Sequence, residues 1–137
     1  MTALGIDYGE KRIGLAITDE LEIIASPLAT IPNDSNTLSE LQRIVTERKA
    51  DTVVVGLPLN MDGTEGPQVK LSKTLAAAIG KLSGLPVHLH DERLTSHAAD
   101  ARLVGRDLTR KKKKARQDAV AAQVLLESFL DRLSREP

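Results

Sequence analysis

A chain of 137 residues, 41% hydrophobic and 28% charged, is sized for one sizeable core and is composed like a folded globular protein, not a disordered one. One Tyr, one Phe and no Trp leave no aromatic platform for stacking bases. The absence of Cys excludes disulfide scaffolds, zinc ribbons and thiol catalysis, so any metal must be held by oxygen or imidazole. The net charge of zero hides an uneven distribution: the balance is −5 over residues 1–92, +7 over 93–116 and −2 over 117–137. A basic stretch of that kind attracts a polyanion even in a neutral chain.

In chain order, Ala3–Asp7 reads as a short strand ending in an acid, and Tyr8–Lys11 as a turn. Arg12–Thr18 reads as a second strand with Ile13, Leu15 and Ile17 on one face, and Ile23–Ala25 as a third; together they form an antiparallel meander. Ser26–Asn36 reads as loop, broken by Pro27 and Pro32. Thr37 or Ser35 is placed to cap a helix running to about Lys49 on the stripe Leu38, Leu41, Ile44, Val45. Thr52–Gly56 is a β-branched run suited to a buried parallel strand. Leu57–Pro67 is loop, Gln68–Leu82 a helix, Val87–His90 a fifth strand and Ser96–Val104 a third helix. The basic segment Arg106–Arg116 connects to a final helix, Gln117–Leu133. The order predicts one α/β domain over residues 1–137: a mixed five-stranded sheet, a three-strand antiparallel meander plus two parallel strands, flanked by helices.

Three acids stand where chemistry would use them. Asp7 ends an apolar, central strand, where a charge is costly unless paired; the plain alternative is a turn former beside Tyr8-Gly9. Glu92 ends the fifth strand, or is simply a solvated acid or partner of Arg93. Asp118 opens the last helix and tops the stripe Ala122, Leu125, Phe129, Leu133, so it points toward the sheet; a first-turn acid favoured by the helix dipole explains its place but not that direction. Strand ends and a helix start can meet at the carboxyl edge of an α/β sheet, where ligands bind. Three converging carboxylates repel, and hard cations relieve that repulsion. Oxygen-only ligation suits Mg²⁺ or Mn²⁺, and two such ions would serve phosphodiester hydrolysis.

The segments Gly5-Ile6-Asp7-Tyr8-Gly9 with Lys11-Arg12-Ile13-Gly14-Leu15-Ala16, Val55-Gly56-Leu57-Pro58-Leu59-Asn60 with Asp62-Gly63, Asp91-Glu92-Arg93-Leu94-Thr95, and Asp118-Ala119-Val120-Ala121-Ala122 resemble the YqgF family of bacterial pre-16S ribosomal RNA nucleases, also described as Holliday-junction-resolvase-like. Each motif is weak alone; four in order at matching spacing, over nearly the whole chain, are specific. The resemblance implies a ribonuclease-H-like fold, a cytoplasmic location, maturation of the 5′ end of 16S rRNA, and catalytic, metal-binding acids at Asp7, Glu92 and Asp118. The chain departs from the family at Lys111-Lys112-Lys113-Lys114-Ala115-Arg116, where relatives often have a Gly-rich, less basic approach to the last acid.

Lys11, Arg12 and Arg93 read either as phosphate contacts or as solvated charges, Arg93 then pairing with Asp91. Arg110, Lys111, Lys112, Lys113, Lys114 and Arg116 read as a backbone-binding run or as a solvated segment. Asn60, Asp62 and Thr64 lie in a loop leaving a parallel strand, able to touch substrate or merely to turn and cap the next helix. His88 and His90 read as strand residues and not metal ligands, since no third imidazole has zinc spacing; His97 could move a proton. The leading expectation is a two-metal endonuclease on structured precursor rRNA, with the ribosome as a possible partner and no membrane. The alternatives are a DNA-junction resolvase and a non-catalytic RNA- or ribosome-associated binder. An actin-like nucleotide clamp needs two such domains, more than this length supplies.

Overall fold

The structure, a computed structural model, describes residues 1–19, 24–93 and 110–135, with backbone alone for 110–116 and 134–135. Its elements are β1 (Ala3–Tyr8), β2 (Arg12–Thr18), β3 (Ala25–Pro32), α1 (Thr37–Glu47), β4 (Thr52–Leu57), α2 (Pro67–Ser83), β5 (Val87–Asp91) and α3 (Arg110–Arg135). The strands form one sheet in the order β3-β2-β1-β4-β5. β1, β2 and β3 are antiparallel neighbours, while β4 and β5 run parallel to β1. This is the mixed sheet that the sequence predicts.

Alternation along the central strands sorts their side chains between two cores. Leu4, Ile6, Ile13, Leu15, Val53 and Val55 pack under α1 and α2, against Leu41, Ile44, Leu75 and Ile79. Ala3, Ala16 and Val54 face α3 and meet Ala122, Leu125, Leu126 and Phe129. The α3 side of the sheet carries small residues, so the helix packs close to the strands. The stripe predicted for the last helix holds through Phe129, whereas Leu133 at its end is exposed.

Three expectations change. The third strand is Ala25–Pro32, not Ile23–Ala25, and it includes both prolines that read as breakers. It is an edge strand, the place in a sheet where a missing N–H is tolerated, and a register shift lies at Leu15/Ala16, where Pro27 pairs with Ala16. The cap of α1 is Asn36, without a side-chain cap bond; neither Thr37 nor Ser35 serves. Instead the Thr37 hydroxyl accepts from the Asp34 N–H (2.9 Å) and donates to the Pro32 carbonyl (3.1 Å), tying the helix to the end of β3. The final helix begins at Arg110, so the basic run is helical and Asp118 lies more than two turns inside. Lys and Arg are good helix formers, and an apolar periodicity cannot register a turn with no apolar residues. The predicted helix over 96–104 and His97 lie outside the described residues.

Candidate active site

One row of residues crosses the sheet on the α3 side. Asp7 on β1 pairs with Gly14 on β2. On its other flank, Ile6 pairs with Val55, which sets Gly56 of β4 beside Asp7, and Gly56 pairs in turn with His90 of β5. Asp7 therefore stands between two glycines at the carboxyl end of the central strand.

Each glycine leaves space for another acid to approach. A Cβ on Gly14 would fall 1.9 Å from the Asp118 carbonyl oxygen, so only glycine lets the α3 backbone come down onto β2 there. A Cβ on Gly56 would fall 2.2 Å from Glu92 Oε1, the space into which the Glu92 carboxyl folds. The Glu92 N–H donates to the Leu57 carbonyl (3.1 Å), which turns the chain back over β4 after β5 ends. Glycine inside a strand signals close approach of another group, and that signal was available in the sequence at both positions.

Asp7 and Glu92 hydrogen-bond to each other. Burial pushes the Glu92 carboxyl up to about 10, with the hydrogen bond to Asp7 and the charges of Asp7 and Asp91 adding to it. Burial also raises Asp7; the hydrogen bond from Glu92 opposes this and the charge of Asp118 reinforces it. Burial thus favours the protonated form of Glu92, which donates to Asp7.

Asp118 is directed elsewhere: Arg12 Nε donates to Asp118 Oδ2 at 2.8 Å. As the side chains lie, no group of three or more His, Asp or Glu among the described residues stands ready to hold a metal ion. Asp7 and Glu92 nevertheless suit a hard dication, because two adjacent buried carboxyls, both pushed toward their protonated forms by burial, form a site whose ionisation positive charge would favour. The third donor is held by a guanidinium.

The other predicted residues are placed as follows. Lys11 is exposed in the β1–β2 turn, which Asn33 pins: its N–H donates to the Lys11 carbonyl (3.0 Å) and its side-chain amide to the Gly9 carbonyl (2.8 Å). Arg93 is clamped on Asp91, with its N–H on Oδ1 (2.9 Å) and its guanidinium on Oδ2 (Nε 2.8 Å). That is the ion-pair reading of Arg93. Asn60, Asp62 and Thr64 bond to one another: the Thr64 hydroxyl donates to Asp62 Oδ1 (2.6 Å) and the Asn60 amide donates to Thr64 Oγ1 (2.9 Å). They shape the loop but do not cap α2, whose cap is Gly66. His90 is buried, its Nε2 sharing a 2.8 Å hydrogen bond with Ser128 Oγ, and His88 is exposed with its ring against Phe129. Burial and the nearby Arg132 hold His90 below the usual imidazole range. The side chains of Arg110, Lys111, Lys112, Lys113, Lys114 and Arg116 lie outside the described residues.

Two solved structures share this fold. Thermus thermophilus RuvC in complex with a Holliday junction substrate superposes with a TM-score of 0.60 at 16% identity, over 97% of this chain and 96% of that one. The Fowlpox virus resolvase with Holliday junction DNA superposes with a TM-score of 0.61 at 17% identity, over 97% and 99%. At that identity the likeness establishes the fold, which is ribonuclease-H-like. Among curated relatives, one from Geobacillus kaustophilus is 43% identical over 135 residues, covering 96% of this chain and 98% of its own length. One from Streptococcus sanguinis is 42% identical over 137 residues, covering 96% and 99%. Both carry the name "Putative pre-16S rRNA nuclease". The RuvX family model, described as Holliday junction resolvase, matches residues 1–132, and the chain belongs to that family.

Proposed function

We propose that this chain is a metal-dependent endonuclease that hydrolyses phosphodiester bonds of precursor 16S rRNA near its 5′ end, acting in the cytoplasm and in reach of the ribosome. Membership of a nuclease family and the names of relatives at about 40% identity support a hydrolase acting on phosphodiesters. The observation that carries the site is the buried, hydrogen-bonded pair Asp7 and Glu92 at the carboxyl ends of the sheet, with Asp118 of α3 over the neighbouring Gly14 and near enough for its charge to act on Asp7.

Asp7, Glu92 and Asp118 would hold the metal, Mg²⁺ or Mn²⁺. Two ions bound there would activate water and stabilise the leaving oxygen. Holding a cation there would require Glu92 to give up its proton and Asp118 to turn from Arg12. Arg12, released, lies at the edge of the site beside Lys11 and is free to engage a phosphate. The basic first turns of α3 would hold the RNA backbone, and the Asn60–Thr64 loop borders the substrate next to Arg93, whose guanidinium lies against Gly63. The family description favours a second substrate, a four-way DNA junction. Incubation with precursor rRNA or a synthetic junction and Mn²⁺, beside Asp7→Asn, tests both. Cleavage of rRNA that the variant abolishes supports the main reading, and cleavage of the junction alone supports the second. Binding without cleavage by either protein makes the chain a binder, not an enzyme.

A further inference from the structure

At the β5 end of the row that contains Asp7, the sheet and α3 enclose a cleft of about 300 Å³ lined by His88, Leu89, His90, Phe129, Arg132 and Leu133. Ser128, Phe129 and Arg132 are spaced along α3 so that they share one helix face, and that face looks onto β5. Ser128 fixes the His90 ring, Phe129 supports the exposed His88 ring at 5.2 Å between centroids, and the exposed Arg132 closes the cleft. The lining contains an arginine and two imidazoles and no carboxylate. Two acids adjoin the lining in sequence: Asp91, which points to the opposite side of β5 and is engaged by Arg93, and Asp131, which precedes Arg132 on α3 and is not part of the lining.

The placement matters as much as the chemistry. His90 is in register with Gly56, beside Asp7, and two strand spacings put it about 10 Å from the central strand. The basic turns of α3 begin on the far side of the site, where Asp118 lies over Gly14. A strand crossing the carboxyl edge from β2 toward β5 would pass the acids and leave over this cleft. We propose that His88 and Arg132 form a phosphate-binding subsite for the nucleic-acid backbone on the β5 side of the cleavage site. The inference rests on the nuclease reading for its direction and adds a second anchor on the opposite flank from the lysines.

The test is fluorescence anisotropy of the full chain in EDTA with a labelled RNA spanning the 5′ boundary of precursor 16S rRNA, over a range of salt. The double variant His88→Gln, Arg132→Gln should bind roughly 3- to 10-fold more weakly at about 0.1 M salt and show a shallower salt slope by about one contact, with Arg132→Lys largely restoring both. Both side chains are exposed, and an unchanged melting temperature confirms that the fold is kept. Unchanged affinity and slope in the double variant overturn the subsite. If the wild type cleaves RNA with Mn²⁺ while the slope ignores Arg132, the subsite alone falls. If it cleaves nothing but the Arg132 dependence appears, the subsite stands and the nuclease reading falls. No binding by the wild type overturns both.

Discussion

Arg12 at the start of β2 donates from Nε to Asp118 Oδ2 at 2.8 Å, across 106 positions of sequence. The bond ties the acid of α3 to the hairpin that follows Asp7. Both side chains keep about a third of their surface in solvent, so the ion pair contributes about 1 kcal/mol. It competes with any cation that uses Asp118. Arg12→Gln should therefore tighten Mn²⁺ binding about fivefold, measured by titration calorimetry or by the Mn²⁺ spin-resonance signal. The same variant should bind RNA more weakly. Looser metal binding would show that Arg12 supports the site instead of competing for it.

The two glycines flanking Asp7 should fail differently when replaced. At Gly14 the intruding Cβ meets helix backbone, which cannot step aside. Gly14→Ala should cost about 1–3 kcal/mol, read as a lower denaturant midpoint. At Gly56 the nearest atoms that the Cβ meets belong to the Glu92 side chain, from its carboxyl to Cγ. Gly56→Ala should melt close to the wild type yet lose most Mn²⁺ binding and cleavage, because Glu92 is expelled from beside Asp7. Equal loss of stability in both variants would contradict this geometry.

The metal-free protein should lose stability as pH rises. Folding lifts Glu92 from its ordinary 4.5 to about 10 and raises Asp7 as well. A raised carboxyl means that the folded chain holds its proton more tightly than the unfolded chain does. The resulting stabilisation is complete below the unfolded value and fades as pH climbs toward the folded one, with a limiting slope of about 1.4 kcal/mol per pH unit for one proton. Melting temperatures in EDTA should fall as pH rises from about 5 toward about 10, and Glu92→Gln should flatten the decline. Mn²⁺ binding should release a proton and strengthen over the same range. A melting temperature independent of pH would show that folding does not raise the Glu92 carboxyl.

The four lysines at the start of α3 make a separate prediction. Replacing Lys111, Lys112, Lys113 and Lys114 with Gln should leave the helix intact, since Gln is nearly as good a helix former. The salt dependence of RNA binding should fall by up to about three charges. An unchanged slope would make the run a solvated surface.

Much of the molecule follows from local pattern. The alternation Leu4, Ile6 against Asp7 assigns one face of β1 to the core and puts the acid on the other, because strand side chains repeat every two residues. The stripe Ala122, Leu125, Phe129 turns Asp118 toward the sheet for the equivalent helical reason. Those periods are properties of the backbone and need no distant partner. Tertiary structure decided what periodicity cannot carry. Edge position admitted two prolines to β3. The folding of Glu92 over Gly56 and the capture of Asp118 by Arg12 depend on which strands become neighbours. The acids are written in the sequence as residue types, but their charge states and partners exist only once burial removes water and brings distant oxygens and nitrogens within hydrogen-bonding range.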